Sequence, residues 1–226
     1  MIPVSQSTFG YYGPSKPCGG KYLSLTDAVA KYGSNVQMHT GIPATDSTDL
    51  SGIPAAAKIA ADADRVVMAL GVDLSWAHEG HDSTTLKIPA AQMTLVAATT
   101  AAAKSPVTVV IFCANPLDIS ALLSNPKIGA VIHVGQPSIT IYGIAEVLFG
   151  MKSPAGRTIQ TIYPASYADE ISIFDFNMRP GPSDYARPDC TTKTGCKMGT
   201  NPGVSRSTRC PSNTKQSPPQ LDPQGD

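Results

Sequence analysis

Two aspartates, a glutamate, two histidines and the only tryptophan of the chain fall within one short stretch, Asp73-Leu74-Ser75-Trp76-Ala77-His78-Glu79-Gly80-His81-Asp82-Ser83-Thr84. Carboxylates accept hydrogen bonds from sugar hydroxyls, and an indole face covers the apolar C–H face of a pyranose. Carboxyl groups also supply the acid and base of glycoside hydrolysis. The stretch therefore suits carbohydrate recognition. The same acidic side chains also suit a plainer role, capping turns and the helix that follows. His78 and His81 alone do not make a metal site, because no third ligand is evident, and no metal is expected.

Strand-like and helix-like segments must position this stretch. Residues 65–72 (Arg-Val-Val-Met-Ala-Leu-Gly-Val) form a nearly continuous apolar run of strand length. Further strands are expected at 107–114, 130–134 and 158–163, with a short candidate at 35–40. Helices are expected at 22–32, capped by Ser24 or Thr26, and at 54–62 and 89–104, each with Pro in its first turn. Two more are expected at 117–124 and 139–149. Continuous β-branched runs indicate strands covered on both faces. The alternation of strand and helix predicts an α/β fold, a three-layer sandwich with a mainly parallel sheet. In such a sheet, ligands sit beyond the carboxyl ends of the strands. Three segments lie there: 71–84, Asn115-Pro116-Leu117-Asp118 and Gly135-Gln136-Pro137-Ser138.

Composition narrows the function classes. Lys and Arg number 17, Asp and Glu 17, and charged residues are 15% of the chain. A balanced charge argues against a nucleic-acid partner, since phosphate binding needs a basic surplus. No apolar run is long enough to span a bilayer, so no membrane partner is expected. The first residues show no signal peptide. The 135–138 segment lacks a dinucleotide or P-loop glycine pattern, and no Gly-x-Ser-x-Gly elbow exists, so no cofactor is expected. Cys113 lies in an apolar run and reads as a small buried hydrophobe. Cys18, Cys190, Cys196 and Cys210 lie in Gly/Pro/Thr-rich segments that suit disulfides, and Cys190 and Cys196 could close a short loop. From about residue 180 the chain is rich in Pro, Gly, Ser, Thr and Cys without periodicity. Two parts are expected: an α/β domain at 1–180 and an irregular tail at 181–226.

Taken in order, the motifs resemble one family. Ala69-Leu70-Gly71-Val72-Asp73-Leu74-Ser75, then Glu79-Gly80-His81-Asp82 and Leu86-Lys87-Ile88-Pro89, resemble the C-terminal domain of family 3 glycoside hydrolases of the β-xylosidase/β-glucosidase type. Asn115-Pro116-Leu117-Asp118 is similar to that family's Gly-Pro-x-Asp turn, and Glu146-Val147-Leu148-Phe149-Gly150 to its Asp-Val-Leu-Phe-Gly. Pro154-Ala155-Gly156-Arg157, Tyr163-Pro164-Ala165-Ser166-Tyr167, Asn177-Met178-Arg179-Pro180 and Gly10-Tyr11-Tyr12-Gly13 extend the match over about residues 9–206.

The resemblance implies retaining hydrolysis of β-linked sugars, most directly xylosides, in a site shared with a TIM-like barrel that carries the nucleophilic Asp. It implies Glu79 as candidate acid/base, with Asp73, Trp76, His81 and Asp82 contacting substrate. Neither the barrel nor the family's first strand of this domain lies within the chain, so the chain alone is expected to be inactive. An extracellular or secretory setting follows from the same resemblance. Several positions depart from the pattern. Ala77-His78-Glu79-Gly80 keeps one of two family acids, and Ser83 stands where relatives have Arg. The alternatives are a non-catalytic sugar-binding accessory protein and a non-functional fragment left with an open sheet edge.

Overall fold

In a computed structural model of the protein, residues 23–137, 141–158, 161–170 and 174 are described. All of these except Phe174 belong to one compact unit, Met1–Ser172. The apolar run after Arg65 forms β1 (Val67–Gly71), which pairs in parallel with β2 (Val107–Phe112), from Val67 opposite Thr108 to Gly71 opposite Phe112. On its other side β2 pairs in parallel with β3 (Ile128–Gly135), with register shifts near both ends. The described sheet thus has the order β1-β2-β3, and every pairing in it is parallel.

Successive β2 side chains point to opposite faces. Val109, Ile111 and Cys113 enter a core with Val96, Leu117 and Leu122, while Val110 and Phe112 enter another with Leu25, Ala28, Ile141, Ile144 and Ala145. Helix α3 (Ala90–Ala102) and the short α4 (Ser120–Leu123) therefore cover one face. The other is covered by α1 (Leu25–Ala30) and α5 (Ile141–Leu148). Outside α3 lies α2 (Ile53–Asp62), packed through Ile53 against Ala91 and Leu95. Helix, sheet and helix make the three layers expected of this α/β fold. The last described helix, α6, spans Tyr167–Glu170.

Local chemistry sets the ends of these elements. Ser24 caps α1: the Asp27 N–H donates to Ser24 Oγ at 3.1 Å, and the Ser24 N–H donates to Asp27 Oδ2 at 2.8 Å. This reciprocal pair satisfies two otherwise free donors. Pro54 sits in the first turn of α2, whereas Pro89 precedes α3 as its cap residue.

Three expected elements are corrected. Residues 35–40 form no strand. Asn35 has φ 53°, and of these residues only Val36 is partly buried, so the segment has no apolar face to lay on a sheet. The helix expected at 117–124 shortens to α4 because Asp118 pairs with the chain before α3, its N–H donating to Leu86 O at 2.6 Å. Described residues 158 and 161–163 carry no strand. The Gly10–Gly13 motif, Cys18, residues 138–140, Asn177-Met178-Arg179-Pro180, Cys190, Cys196, Cys210 and the 181–226 tail lie outside the described residues.

Candidate functional site

The acidic stretch leaves the sheet through Gly71, whose φ is 142°. A Cβ there would lie 1.8 Å from Phe112 O, so only glycine lets the two strand ends meet. The carboxylate of Asp73 then caps the turn. Its Oδ1 accepts from the Ser75 N–H at 2.9 Å, from Ser75 Oγ at 2.5 Å and from Thr45 Oγ1 at 3.1 Å. Asp73 thus has the capping role that competed with sugar contact in the sequence reading. Trp76 is partly buried against the core beside α3, and its indole N–H donates to Ser83 Oγ at 2.9 Å. Ser83 in turn donates to Thr85 O at 2.8 Å. The residue standing in place of the family Arg therefore anchors the indole.

Beyond Trp76 the loop folds into a two-residue hairpin. His78 and His81 exchange backbone hydrogen bonds of 2.9 Å in both directions, which leaves Glu79 and Gly80 at the tip. Gly80 has φ 80°, the left-handed conformation that the third position of a type II turn requires. The two imidazoles stack with centroids 5.3 Å apart, and His78 Nδ1 lies 2.8 Å from Leu74 O. Glu79, His81 and Asp82 are exposed. Among the described residues, neither the Glu79 nor the Asp82 carboxylate has a hydrogen-bond or ion-pair partner.

A buried clamp, absent from the sequence reading, holds the base of this loop. Gln92 of α3 is 4% exposed. Its Oε1 accepts from the Gly71 N–H at 2.9 Å, while its Nε2 donates to Gly71 O at 2.7 Å and to Thr45 O at 3.1 Å. The buried Thr45 hydroxyl then reaches Asp73. One amide thereby ties the end of β1, the loop before α2 and the start of the acidic stretch together. The only signal in the sequence was a glutamine on a helix with no charged side chain and no other amide side chain.

Loops after β1 and β2 meet in an open cleft of about 420 Å³, lined by Asp82, Ser83, Thr84, Thr85, Leu86, Asn115, Pro116 and Ala168. Asp118 braces one wall: its Oδ1 accepts from the Ser120 N–H at 2.9 Å, and its Oδ2 accepts from the Ala165 N–H at 2.9 Å. Burial pushes the Asp118 carboxyl up, but these hydrogen bonds outweigh it and hold the pKa below the usual carboxylate value. Of the predicted sugar contacts, the structure brings Asp82 to this cleft. Asp73 and Trp76 belong to the loop's base, and Glu79 to its tip.

Nearby side chains add little reactivity. Burial pushes the Cys113 thiol up to about 11, against hydrogen bonds from Asn115 and Val72, so at neutral pH it stays protonated and unreactive. Burial also lowers the pKa of His133, whose Nδ1 lies 3.4 Å from the Gly135 N–H donor and whose buried Nε2 has no partner among the described residues. Among the described residues, no group of three or more His, Cys, Asp or Glu is arranged to hold a metal, and no helix is long and apolar enough to cross a membrane.

A parallel α/β sandwich with carboxylate-bearing loops at the C-terminal rim of its sheet places the protein in the α/β class, whose ligands sit beyond the strand ends. Residues 7–194 match the family model for the glycosyl hydrolase family 3 C-terminal domain, and the chain belongs to that family. It is 36% identical over 170 residues to the probable beta-D-xylosidase 7 of Arabidopsis thaliana, covering 75% of this chain and 21% of that protein. It is likewise 36% identical over 186 residues to the probable exo-1,4-beta-xylosidase xlnD of Neosartorya fischeri, covering 81% of this chain and 23% of that protein. A solved GH3 exo-beta-xylosidase (XlnD), in complex with a xylobiose aziridine activity-based probe, superposes with a TM-score of 0.69 at 27% identity, covering 78% of this chain and 22% of that one. The chain thus spans about a fifth of the length of the curated relatives it matches.

Proposed function

We propose that this domain supplies the acid/base half of a retaining β-xyloside hydrolase, with Glu79 as the proton carrier. The observation that carries the reading is the Glu79–Asp82 segment: exposed carboxylates without a partner among the described residues, on the loop after β1 at the C-terminal rim of a parallel sheet. In a retaining reaction Glu79 would protonate the leaving-group oxygen, then take a proton from the water that releases the sugar. The nucleophile must be a second carboxyl about 5–5.5 Å away. In the resemblance that carboxyl belongs to a barrel domain, which supports the expectation that this chain does not turn over substrate unaided. Asp82 is positioned to accept sugar hydroxyls, and His81 stacks on His78 to steady the tip. The setting that fits this role is extracellular breakdown of xylan-type polymers.

The test uses aryl-β-xylosides. The purified chain should show no turnover. Joined to a family 3 barrel, it should hydrolyse, and Glu79→Gln should lower kcat by about 10²–10⁴-fold. Turnover by the chain alone that Glu79→Gln abolishes would overturn the two-part site, and full activity of the joined Glu79→Gln protein would remove Glu79 from the chemistry.

A further inference from the structure

We propose that Trp76 and Ser83 are positioning residues: the bond between them is a clasp that holds the hairpin tip, and with it Glu79, at a fixed bearing. The indole N–H donates to Ser83 Oγ at 2.9 Å across seven positions of sequence. That bond closes the neck of the acidic loop. Above it, only Ala77 on one arm and Asp82 on the other separate the neck from the reciprocal His78–His81 bonds of 2.9 Å. Two rungs this close together leave the arms no independent swing.

Below the neck the two arms are secured unequally. On the outgoing arm the Trp76 N–H donates to Asp73 O at 3.0 Å, and the Trp76 ring packs against the core beside α3. The return arm depends on Ser83. Apart from the hairpin bonds and the clasp, residues 82–85 make no hydrogen bond beyond 82–87 among the described residues. The next tie is Leu86 O, which accepts from the Asp118 N–H at 2.6 Å. Ser83 also commits its hydroxyl both ways, accepting from the indole and donating to Thr85 O at 2.8 Å. The clasp is half-buried, whereas Glu79, Gly80, His81 and Asp82 above it are exposed, so water competes less for the neck than for the tip. A general acid must stand within hydrogen-bond reach of the leaving-group oxygen, and a misplacement of about 1 Å can cost about 10²-fold in rate. A carboxyl at the end of an arm inherits any looseness at its neck.

The catalytic consequence rests on the Glu79 reading above; the clasp itself does not. Trp76 is the only tryptophan of the chain, so a single indole N–H resonance of the isotope-labelled full chain reports on it. Ser83→Ala should move that resonance and speed amide exchange at His78 and His81 by about three- to tenfold, the worth of one net hydrogen bond. Trp76→Phe keeps an aromatic ring against the core and should speed exchange alike. Ser83→Thr keeps the hydroxyl and should restore both readings. An indole resonance and exchange rates unmoved by Ser83→Ala would overturn the proposal. In the barrel-joined protein, Ser83→Ala should lower kcat/KM about tenfold for phenyl β-xyloside, whose leaving group needs a proton. For dinitrophenyl β-xyloside, whose leaving group departs without one, the loss should stay below about twofold. A merely structural role would lower both alike. Glu79→Gln separates the two readings. Equal losses on both substrates in that variant sink the Glu79 assignment, and losses that depend on the leaving group there but not in Ser83→Ala sink only the clasp.

Discussion

Gly71 constrains the candidate site more tightly than any carboxylate that follows it. At φ 142°, with its hypothetical Cβ 1.8 Å from Phe112 O, it admits no side chain without breaking the β1–β2 ladder at the rim. Gly71→Ala should cost more than about 4 kcal/mol in urea unfolding, the range reached only by named structural faults. Gly80→Ala makes the contrast, because nothing lies within 4 Å of its Cβ position. Its cost should be the left-handed backbone alone, about 1–2 kcal/mol. Equal losses for the two variants would show that close approach is not what Gly71 provides. Residue types were legible in the sequence at this scale, but their duties were not. Asp73, Trp76 and Glu79 all fit sugar chemistry by type, and hydrogen bonds with Thr45, Ser75 and Ser83 give the first two a further part in the loop's own architecture.

Elements are held to one another by few polar contacts, and Gln92 makes the most consequential of them. Replacing it by Leu would strand the Gly71 N–H, the Gly71 carbonyl and the Thr45 carbonyl in a buried setting. Each unsatisfied buried group costs about 1–3 kcal/mol, and water entry offsets part of the sum. Gln92→Leu should therefore lose about 2–4 kcal/mol, with faster amide exchange at residues 71–75 than in the body of β2. A loss below about 1 kcal/mol would mean that the clamp is ornamental. The strands at 67–71, 107–112 and 128–135 were legible because buried parallel strands read as continuous apolar runs. The false strand at 35–40 alternated only weakly, and the short α4 was misjudged because the backbone pairing of Asp118 with Leu86 is a tertiary contact with no local signature.

Over the whole molecule, two half-buried groups make stability depend on acidity from opposite chemistries but in the same direction. His133 has a lowered pKa, so the unfolded chain binds its proton first as pH falls below about 6.5, and stability declines from there until pH passes the folded value. Asp118 is also lowered, so its contribution is complete above about pH 3.9 and disappears as pH drops through its folded value. Denaturation midpoints should stay level between about pH 7 and pH 8 and fall in two stages on acidification. His133→Gln should flatten the upper stage and Asp118→Asn should shrink the lower, to which the capping Asp27 also contributes. A single stage untouched by either variant would refute the assignment. The layered fold could be read from this chain, whereas a second carboxyl for the proposed reaction could not, because the chain spans only about a fifth of the length of its relatives. The hairpin between His78 and His81 sets a further limit. With only Glu79 and Gly80 between its paired residues, the tip has no slack, and one inserted residue would uncouple the reciprocal backbone bonds and swing the carboxyl off its bearing. Any change in how far this arm reaches must therefore come from its stem, at 73–77, rather than from its end.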